Sequence, residues 1–149
     1  MALKRRKPTV IPLYTKKKVD NDVDEFVEKA ESDVVSVFQY VGEQFVNNSR
    51  GIRTYKDQTG NLRSSISYVI AVDAKIENED QTGGDNPTAE GKRQGRSLSH
   101  RLAKDRNAVV LVGVAGMEYA SSLEARGRDV ITNSVLIAEN TIKRLIDLI

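Results

Sequence analysis

Apolar residues recur at steps of three and four between residues 22 and 48, and this pattern constrains the fold more than any other feature. The stripe consists of Val23, Phe26, Val27, Ala30, Val34, Val37, Phe38, Val41 and Phe45. This spacing places the apolar side chains on one face of an α-helix. Asp22 and Glu25 resemble a capping box, and Gly51 follows a polar segment at residues 47–49. The sequence predicts a long amphipathic helix from Asp22 to about Ser49.

Two further segments have the patterns of β-strands. Residues 66–72 alternate between two sets of side chains, with Ile66, Tyr68, Ile70 and Val72 on one face. This period of two predicts a half-buried strand, with an extension through residues 75–76 left open. Residues 107–115 are apolar on both alternations, which predicts a central strand covered on both faces.

The C-terminal part of the chain has two helical patterns. Residues 119–124 predict a short helix that stops at Gly127. Apolar residues then recur at helical spacing from Val135 to Ile149, with Thr132 or Asn133 as the expected N-cap. The sequence therefore predicts a C-terminal amphipathic helix.

The predicted elements define an α+β fold: a long N-terminal helix and a C-terminal helix packed on a small, mainly antiparallel sheet. Residues 78–105 are rich in glycine, asparagine and charge, and we interpret them as a long inter-strand loop that is either functional or disordered. Two strands are marginal by themselves. Additional sheet is therefore expected near residues 128–132, in the loop, or from a neighbouring subunit.

The length of 149 residues is typical of one domain, which we assign to residues 19–149. We interpret residues 1–18 as a basic extended arm, because this segment has no acidic residue, two prolines and no period. Residues 20–33 contain seven acidic residues and one lysine. We expect neither a signal peptide nor a membrane span. The arm carries Lys4, Arg5, Arg6, Lys7, Lys16, Lys17 and Lys18.

No set of residues in the sequence has the spacing of a catalytic, cofactor or metal site. The chain has no cysteine and a single histidine, His100, without further histidines that could complete a metal site. No serine lies in a Gly-x-Ser-x-Gly or Ser-x-x-Lys motif, and the glycines do not form a phosphate-binding loop. We therefore expect a protein that is not an enzyme and needs no cofactor.

Nucleic-acid binding is the alternative that the charge distribution leaves open, because the arm and the predicted loop could neutralise phosphates. Neither segment has interleaved aromatic residues beyond Tyr14, and no known nucleic-acid-binding motif is present. The basic residues of the loop are Lys92, Arg93, Arg96, Arg101, Lys104 and Arg106.

Two fragments, taken in order, resemble the head–tail joining or tail-completion proteins (minor tail component, neck) of long-tailed phages. "TGNLRSSI" at residues 59–66 is similar to the pattern Thr-Gly-x-Leu-x-x-Ser-Ile, and "VVLVGVAGMEYASSLEARG" at 109–127 is similar to Val-Gly followed by Tyr-Ala-x-x-x-Glu-x-Gly. The last glycine stands one residue later here, and the usual proline before the final helix is missing. The matching positions include Thr59, Gly60, Leu62, Arg63, Ser65, Ile66, Gly113, Tyr119, Ala120, Glu124 and Gly127.

The resemblance implies a small α+β virion subunit without enzymatic activity. Such subunits assemble, typically as a hexameric ring, between the head connector and the tail tube. The expected partners are further copies of the chain, the connector or head-completion protein and the tail-tube protein, with DNA passing through without sequence-specific contact. In such a ring we expect the basic arm to pack on a neighbouring subunit or protein, against acids such as Asp24, Glu28 and Glu31, and residues 78–105 to contact the connector or tail tube. Candidate contacts in that range are Arg93, Arg96 and Arg101.

The segment at residues 59–66 could be an anion site or a structural corner, and we favour a corner. Gly60 and Asn61 allow a tight turn, while Leu62 and Ile66 can anchor the turn in the core. Arg63 would then remain available for a structural hydrogen bond or a subunit contact, with Glu124 as a candidate partner.

Overall fold

The computed structural model describes residues 15–80 and 82–149 of the chain. Its elements in chain order are α1 (Lys16–Gly51), α2 (Asn61–Ser64), β1 (Ile66–Val72), β2 (Lys75–Glu79), α3 (Ala89–Ala103), β3 (Val109–Ala115), α4 (Ala120–Ala125) and α5 (Thr132–Ile146). A long N-terminal helix, a C-terminal helix and an antiparallel three-stranded sheet confirm the predicted α+β class.

The sheet has the strand order β2-β1-β3, so β1 lies in the centre and pairs antiparallel with both neighbours. The prediction that residues 107–115 form a central strand is therefore wrong, because β3 lies at an edge of the sheet, and the strand predicted to be half buried, β1, is the central one. Asp73 and Ala74, with φ of 49° and 68°, turn the chain back from β1 into β2. Positive φ at both central residues is the geometry of a tight hairpin. The extension of the first strand through residues 75–76, which the sequence left open, does not occur. The additional sheet, expected near residues 128–132, in the loop or from a neighbouring subunit, is supplied by β2, which ends at the start of the predicted loop.

Helices cover both faces of the sheet. The face that carries Ile66, Tyr68 and Ile70 packs on Phe45 and Val46 of α1. The opposite face of β1 packs on α3, and α5 lies against α1. Because strand side chains alternate between faces, β1 serves both layers, which explains its nearly continuous burial.

The prediction that residues 78–105 form a structureless loop is wrong, since this range contains the end of β2 and all of α3. Thr88 is the N-cap of α3, and its Oγ1 accepts a hydrogen bond from the Gly91 amide at 3.1 Å. The buried face of α3 consists of small residues four positions apart: Gly91, Gly95, Ser99 and Ala103. A search for large apolar side chains misses such a helix.

Close packing explains the glycines of α3. A Cβ atom at Gly95 would lie 2.3 Å from the carbonyl oxygen of Ser65, and one at Gly91 would lie 2.5 Å from that of Asn61. These distances are far below van der Waals contact, so only glycine lets the helix axis approach the start of β1 this closely. The glycines of the polar segment therefore bring α3 against the sheet.

Helix α1 begins six residues before the predicted start. Thr15 is its N-cap, and the Thr15 Oγ1 accepts from the Lys18 amide at 3.2 Å. Lys16, Lys17 and Lys18, which were assigned to the extended arm, are therefore helical, and the capping role of Asp22 is wrong. The rest of the expected arm, residues 1–14 with Lys4, Arg5, Arg6 and Lys7, lies outside the described residues.

Candidate interaction site

The segment from Thr59 to Ile66 forms a corner between α2 and β1. Gly60, with φ of 78°, precedes α2, and the carboxylate of Asp57 accepts from the Gly60 amide at 3.1 Å and the Arg63 amide at 2.9 Å. Leu62 and Ile66 are fully buried. The corner interpretation agrees with this geometry, and Asp57, which sequence reasoning missed, is the side chain that holds the turn.

The serines of the corner join three elements through hydrogen bonds. Ser65 Oγ donates to the Leu62 carbonyl at 2.7 Å and accepts from the Gly116 amide, at the end of β3, at 3.1 Å. Ser64 Oγ accepts from the Thr88 amide at 3.0 Å, at the start of α3. Both hydroxyls are buried and engaged in structural bonds.

The two sequence fragments that carry the resemblance meet in the structure. Leu62 from the first fragment and Ala120 from the second pack in one buried cluster with Tyr55 and Val130. The sheet adds Gly113, whose absent side chain leaves room for the Phe45 ring, because a Cβ atom would lie 2.8 Å from that ring. The fragments therefore share one structural neighbourhood.

Glu124 and Gly127 shape the turn between α4 and α5. One Glu124 oxygen accepts from the amides of Val130, Ile131 and Thr132, at 2.8–3.2 Å. Burial raises the pKa of this carboxyl, but these hydrogen bonds outweigh burial and hold the pKa below its usual range. Ile131, not Thr132 or Asn133, is the N-cap residue of α5, since Glu124 supplies the cap.

The expected pairing of Arg63 with Glu124 is wrong. Arg63 Nη2 donates to the Ile52 carbonyl at 3.3 Å, and its guanidinium carbon lies 5.2 Å from the centre of the Tyr55 ring. Tyr119 is the N-cap residue of α4, and 42% of its surface is exposed. Arg63 is thus a structural residue of the corner.

A cleft of about 1010 Å³ lies beside α3, between that helix and the end of β2. The predicted contact residues Arg93, Arg96 and Arg101 all line the cleft, together with Lys92 and Lys104. Lys92, Arg96 and His100 follow one another at steps of four, so they form a basic stripe along the helix, and Lys104 follows as the C-cap residue. Five of the six basic residues that the sequence places in the predicted loop therefore share one surface, and Arg106 lies outside it.

The acidic residues of the cleft are already neutralised. Glu79 Oε2 lies 2.5 Å from His100 Nε2, and Arg96 Nη2 lies 3.3 Å from Glu79 Oε1. Burial raises the pKa of Glu79, but the hydrogen bonds from His100 and Arg96 outweigh it and lower the pKa overall. Asp80 forms a buried ion pair with Arg50.

Three cations of the cleft remain available. Lys92, Arg101 and Lys104 are exposed, and their side chains form no ion pair or hydrogen bond with the part of the chain that the structure describes. The Ser67 hydroxyl, which lines the same cleft, is buried and has no hydrogen-bond partner in residues 15–80 and 82–149. The cleft is therefore a basic surface with unused donors.

The first half of α1 projects beyond the packed domain. All residues from 15 to 29 are exposed, whereas Val41, Phe45 and Val46 near the other end are buried. The predicted apolar stripe is thus packed only in its second half. Val19, Val23, Phe26 and Val27 have exposed fractions of 47%, 54%, 73% and 48%.

Among the described residues, no group of three or more His, Asp or Glu side chains is placed to hold a metal ion, and no helix is long and apolar enough to cross a membrane. Comparison with protein-family models, with characterised proteins and with solved structures gave no match.

Proposed function

We propose that this chain is a non-enzymatic structural subunit of the neck of a long-tailed phage, which assembles into a ring that joins the head connector to the tail. The observation that carries the proposal is the projecting half of α1, where four apolar side chains are about half exposed or more. A helix face of this kind in a small protein is typical of an assembly surface. The two sequence fragments, which occur in the order found in the head–tail joining family, are the reason for proposing this family.

The proposed ring has three kinds of partner. Further copies of the chain, most simply six, form the ring, and the connector or head-completion protein and the tail-tube protein bind its two sides. The ring assembles in the host cytoplasm and remains in the virion neck, where DNA passes through it without sequence-specific contact. The exposed edge of β3, which has no strand partner within residues 15–80 and 82–149, is an additional surface that a neighbour can cover.

The double substitution Val23→Asp/Phe26→Asp tests the proposal. Both side chains are exposed in the single chain, so the variant is expected to fold with unchanged helix content but to lose assembly, with at least a tenfold weaker association. Light scattering after size-exclusion chromatography measures the mass of each protein. Glu25→Gln/Lys29→Gln on the same exposed segment is the control and should still assemble. Wild-type protein that stays monomeric at every concentration would contradict the proposal.

The basic stripe on α3 favours a second candidate, a nucleic-acid-binding module that also uses the basic N-terminal residues. Lys92, Arg101 and Lys104 lie on one side of an open cleft and have no acidic partner in the described chain. This function predicts binding of a DNA or RNA 30-mer that weakens steeply between 50 and 200 mM salt. Fluorescence anisotropy of wild type and Lys92→Gln/Arg101→Gln/Lys104→Gln tests it, because unchanged affinity in the variant would exclude the cleft.

A further inference from the structure

We propose that the acidic projecting half of α1 in one copy of this chain docks in the basic cleft beside α3 of the next copy. The inference rests on the proposed ring and names the two surfaces that build it. Each chain then offers one α1 and one cleft, so the contact is head to tail.

The projecting half of α1 has the charge and shape that this contact requires. Asp20, Asp24 and Glu28 are spaced by four residues, so they lie along one side of the helix. They flank the exposed side chains of Val23 and Phe26. The three carboxylates form no ion pair in the described part of the chain. The segment therefore presents a row of unpaired acids beside an apolar ridge.

The cleft has the complementary features. The side chains of Lys92, Arg101 and Lys104 are cations without an acidic partner among residues 15–80 and 82–149, and the buried Ser67 hydroxyl has no hydrogen-bond partner there. Carboxylates accept from ammonium, guanidinium and hydroxyl groups alike. The aliphatic part of the Lys92 side chain offers apolar surface to a side chain such as Phe26. Opposite charge, arranged along a helix on each side, selects α1 as the occupant of the cleft.

The fold prevents this contact from forming within one chain. α1 packs on one face of the sheet and α3 on the other, so the sheet separates the two surfaces. α1 is a continuous 36-residue helix of about 54 Å, and its projecting half cannot bend back around the sheet. The acids of one chain can reach the cleft only in another chain. A head-to-tail contact that repeats closes into a ring when its rotation divides the full circle, and otherwise gives an open filament.

A charge-exchange experiment tests the inference. Variant A carries Asp20→Lys, Asp24→Lys and Glu28→Lys, and variant B carries Lys92→Glu, Arg101→Glu and Lys104→Glu. Each variant alone opposes like charges, so each should be monomeric at a concentration where wild type assembles. An equimolar mixture should assemble again, because each α1 then meets a cleft of opposite charge. A chain with all six substitutions should also assemble by itself.

A control variant with the same change in net charge, and the salt dependence of association, test whether the contact is specific and electrostatic. Lys56→Glu/Lys143→Glu/Arg144→Glu changes the net charge as much as variant B does and should assemble like wild type. Wild-type association should weaken at least tenfold between 50 and 500 mM NaCl, because salt screens the contact. Circular dichroism of each variant confirms that a monomer is folded. Sedimentation velocity measures the mass in every arm.

The outcomes separate this inference from the proposed function. Assembly of variants A and B like wild type would overturn the inference and leave the proposed ring in place. Monomeric variants that do not assemble when mixed would also overturn it. A monomeric wild-type protein would overturn both the inference and the ring. A cleft that binds a DNA 30-mer in the assembled wild type, with ring formation unaffected in variant B, would assign the cleft to nucleic acid instead.

Discussion

At the residue scale, the absence of a Cβ atom at two glycines determines how closely α3 packs against the corner. Gly91 and Gly95 bring the helix axis against the carbonyl oxygens of the corner, and the serine hydroxyls of that corner bond to α3 and to the end of β3. A pattern of small residues at steps of four carries no hydrophobic signal, although it defines a packing face as clearly as leucines would.

Gly95→Ala is expected to destabilise the protein by about 1–2 kcal/mol. Its Cβ atom would lie 2.3 Å from a backbone oxygen, so the helix must move, and overpacking of this kind costs more than the gain in helix propensity. Chemical denaturation measures the free energy of unfolding. Gly51→Ala is the control, because a Cβ atom there meets nothing within 4 Å, and it should be neutral or stabilising. Equal stability of both variants would contradict the packing argument.

Glu124→Ala is expected to cost about 1 kcal/mol at pH 7, because Glu124 caps α5 through three backbone amides. The pKa of Glu124 is lowered in the folded state, so its stabilisation is full above the unfolded pKa of about 4.3 and is lost as the pH falls through the folded pKa. The difference between wild type and variant should therefore shrink towards pH 3.

Denaturation curves at pH 7 and pH 3 provide the measurement for Glu124→Ala, with Glu118→Ala as the control. Glu118 is exposed, and its side chain forms no hydrogen bond or ion pair within the described residues. A Glu124→Ala difference that is the same at both pH values would show that the charge of the carboxylate plays no part in the cap.

At the element scale, the hairpin between β1 and β2 adds the third strand with a tight turn of unusual composition. Ala74 has φ of 68°, a conformation that a side chain with Cβ disfavours by about 1 kcal/mol. The alternating pattern through residues 70–76 hides this turn, because Asp-Ala is a weak turn signal compared with Asp-Gly. Strand pairing by β1 forces the reversal.

Ala74→Gly is expected to stabilise the hairpin by about 0.5 kcal/mol, because glycine removes the strain while losing more entropy on folding. The melting temperature should rise by one to a few degrees for a domain of this size. Ala108→Gly, at an exposed position without positive φ, is the control and should not stabilise. A lower melting temperature for Ala74→Gly would show that the turn conformation is not strained.

At the scale of the whole molecule, unequal packing of α1 is the central feature. Its second half joins α5 and the sheet, and its first half, residues 15–29, packs on nothing in the described chain. This half continues a packed helix and needs no nucleation of its own, but its apolar side chains remain exposed to water. A partner surface would stabilise it, and the cleft beside α3 is a complementary one within the same protein.

The periodicity of large apolar residues was sufficient to predict the two long helices, the existence of strands β1 and β3 and the α+β class, but not that β1 is the central strand and β3 an edge strand. The corner at residues 59–66 also follows from sequence, since Gly60 and the buried Leu62 act locally. These features depend on neighbours within a few positions along the chain. The physical reason is that periodic burial and turn chemistry are local properties.

Tertiary structure alone decided the features that depend on distant contacts. The helical state of residues 89–103 follows from the fit of two glycines against the corner, and the partner of Glu124 follows from the approach of α5. Likewise, only the fold shows that the first half of the α1 stripe stays exposed while the second half is buried, and that the basic residues of α3 share one cleft. Amphipathic spacing indicates a face that needs a partner, but whether that partner lies in the same chain is a property of three-dimensional packing.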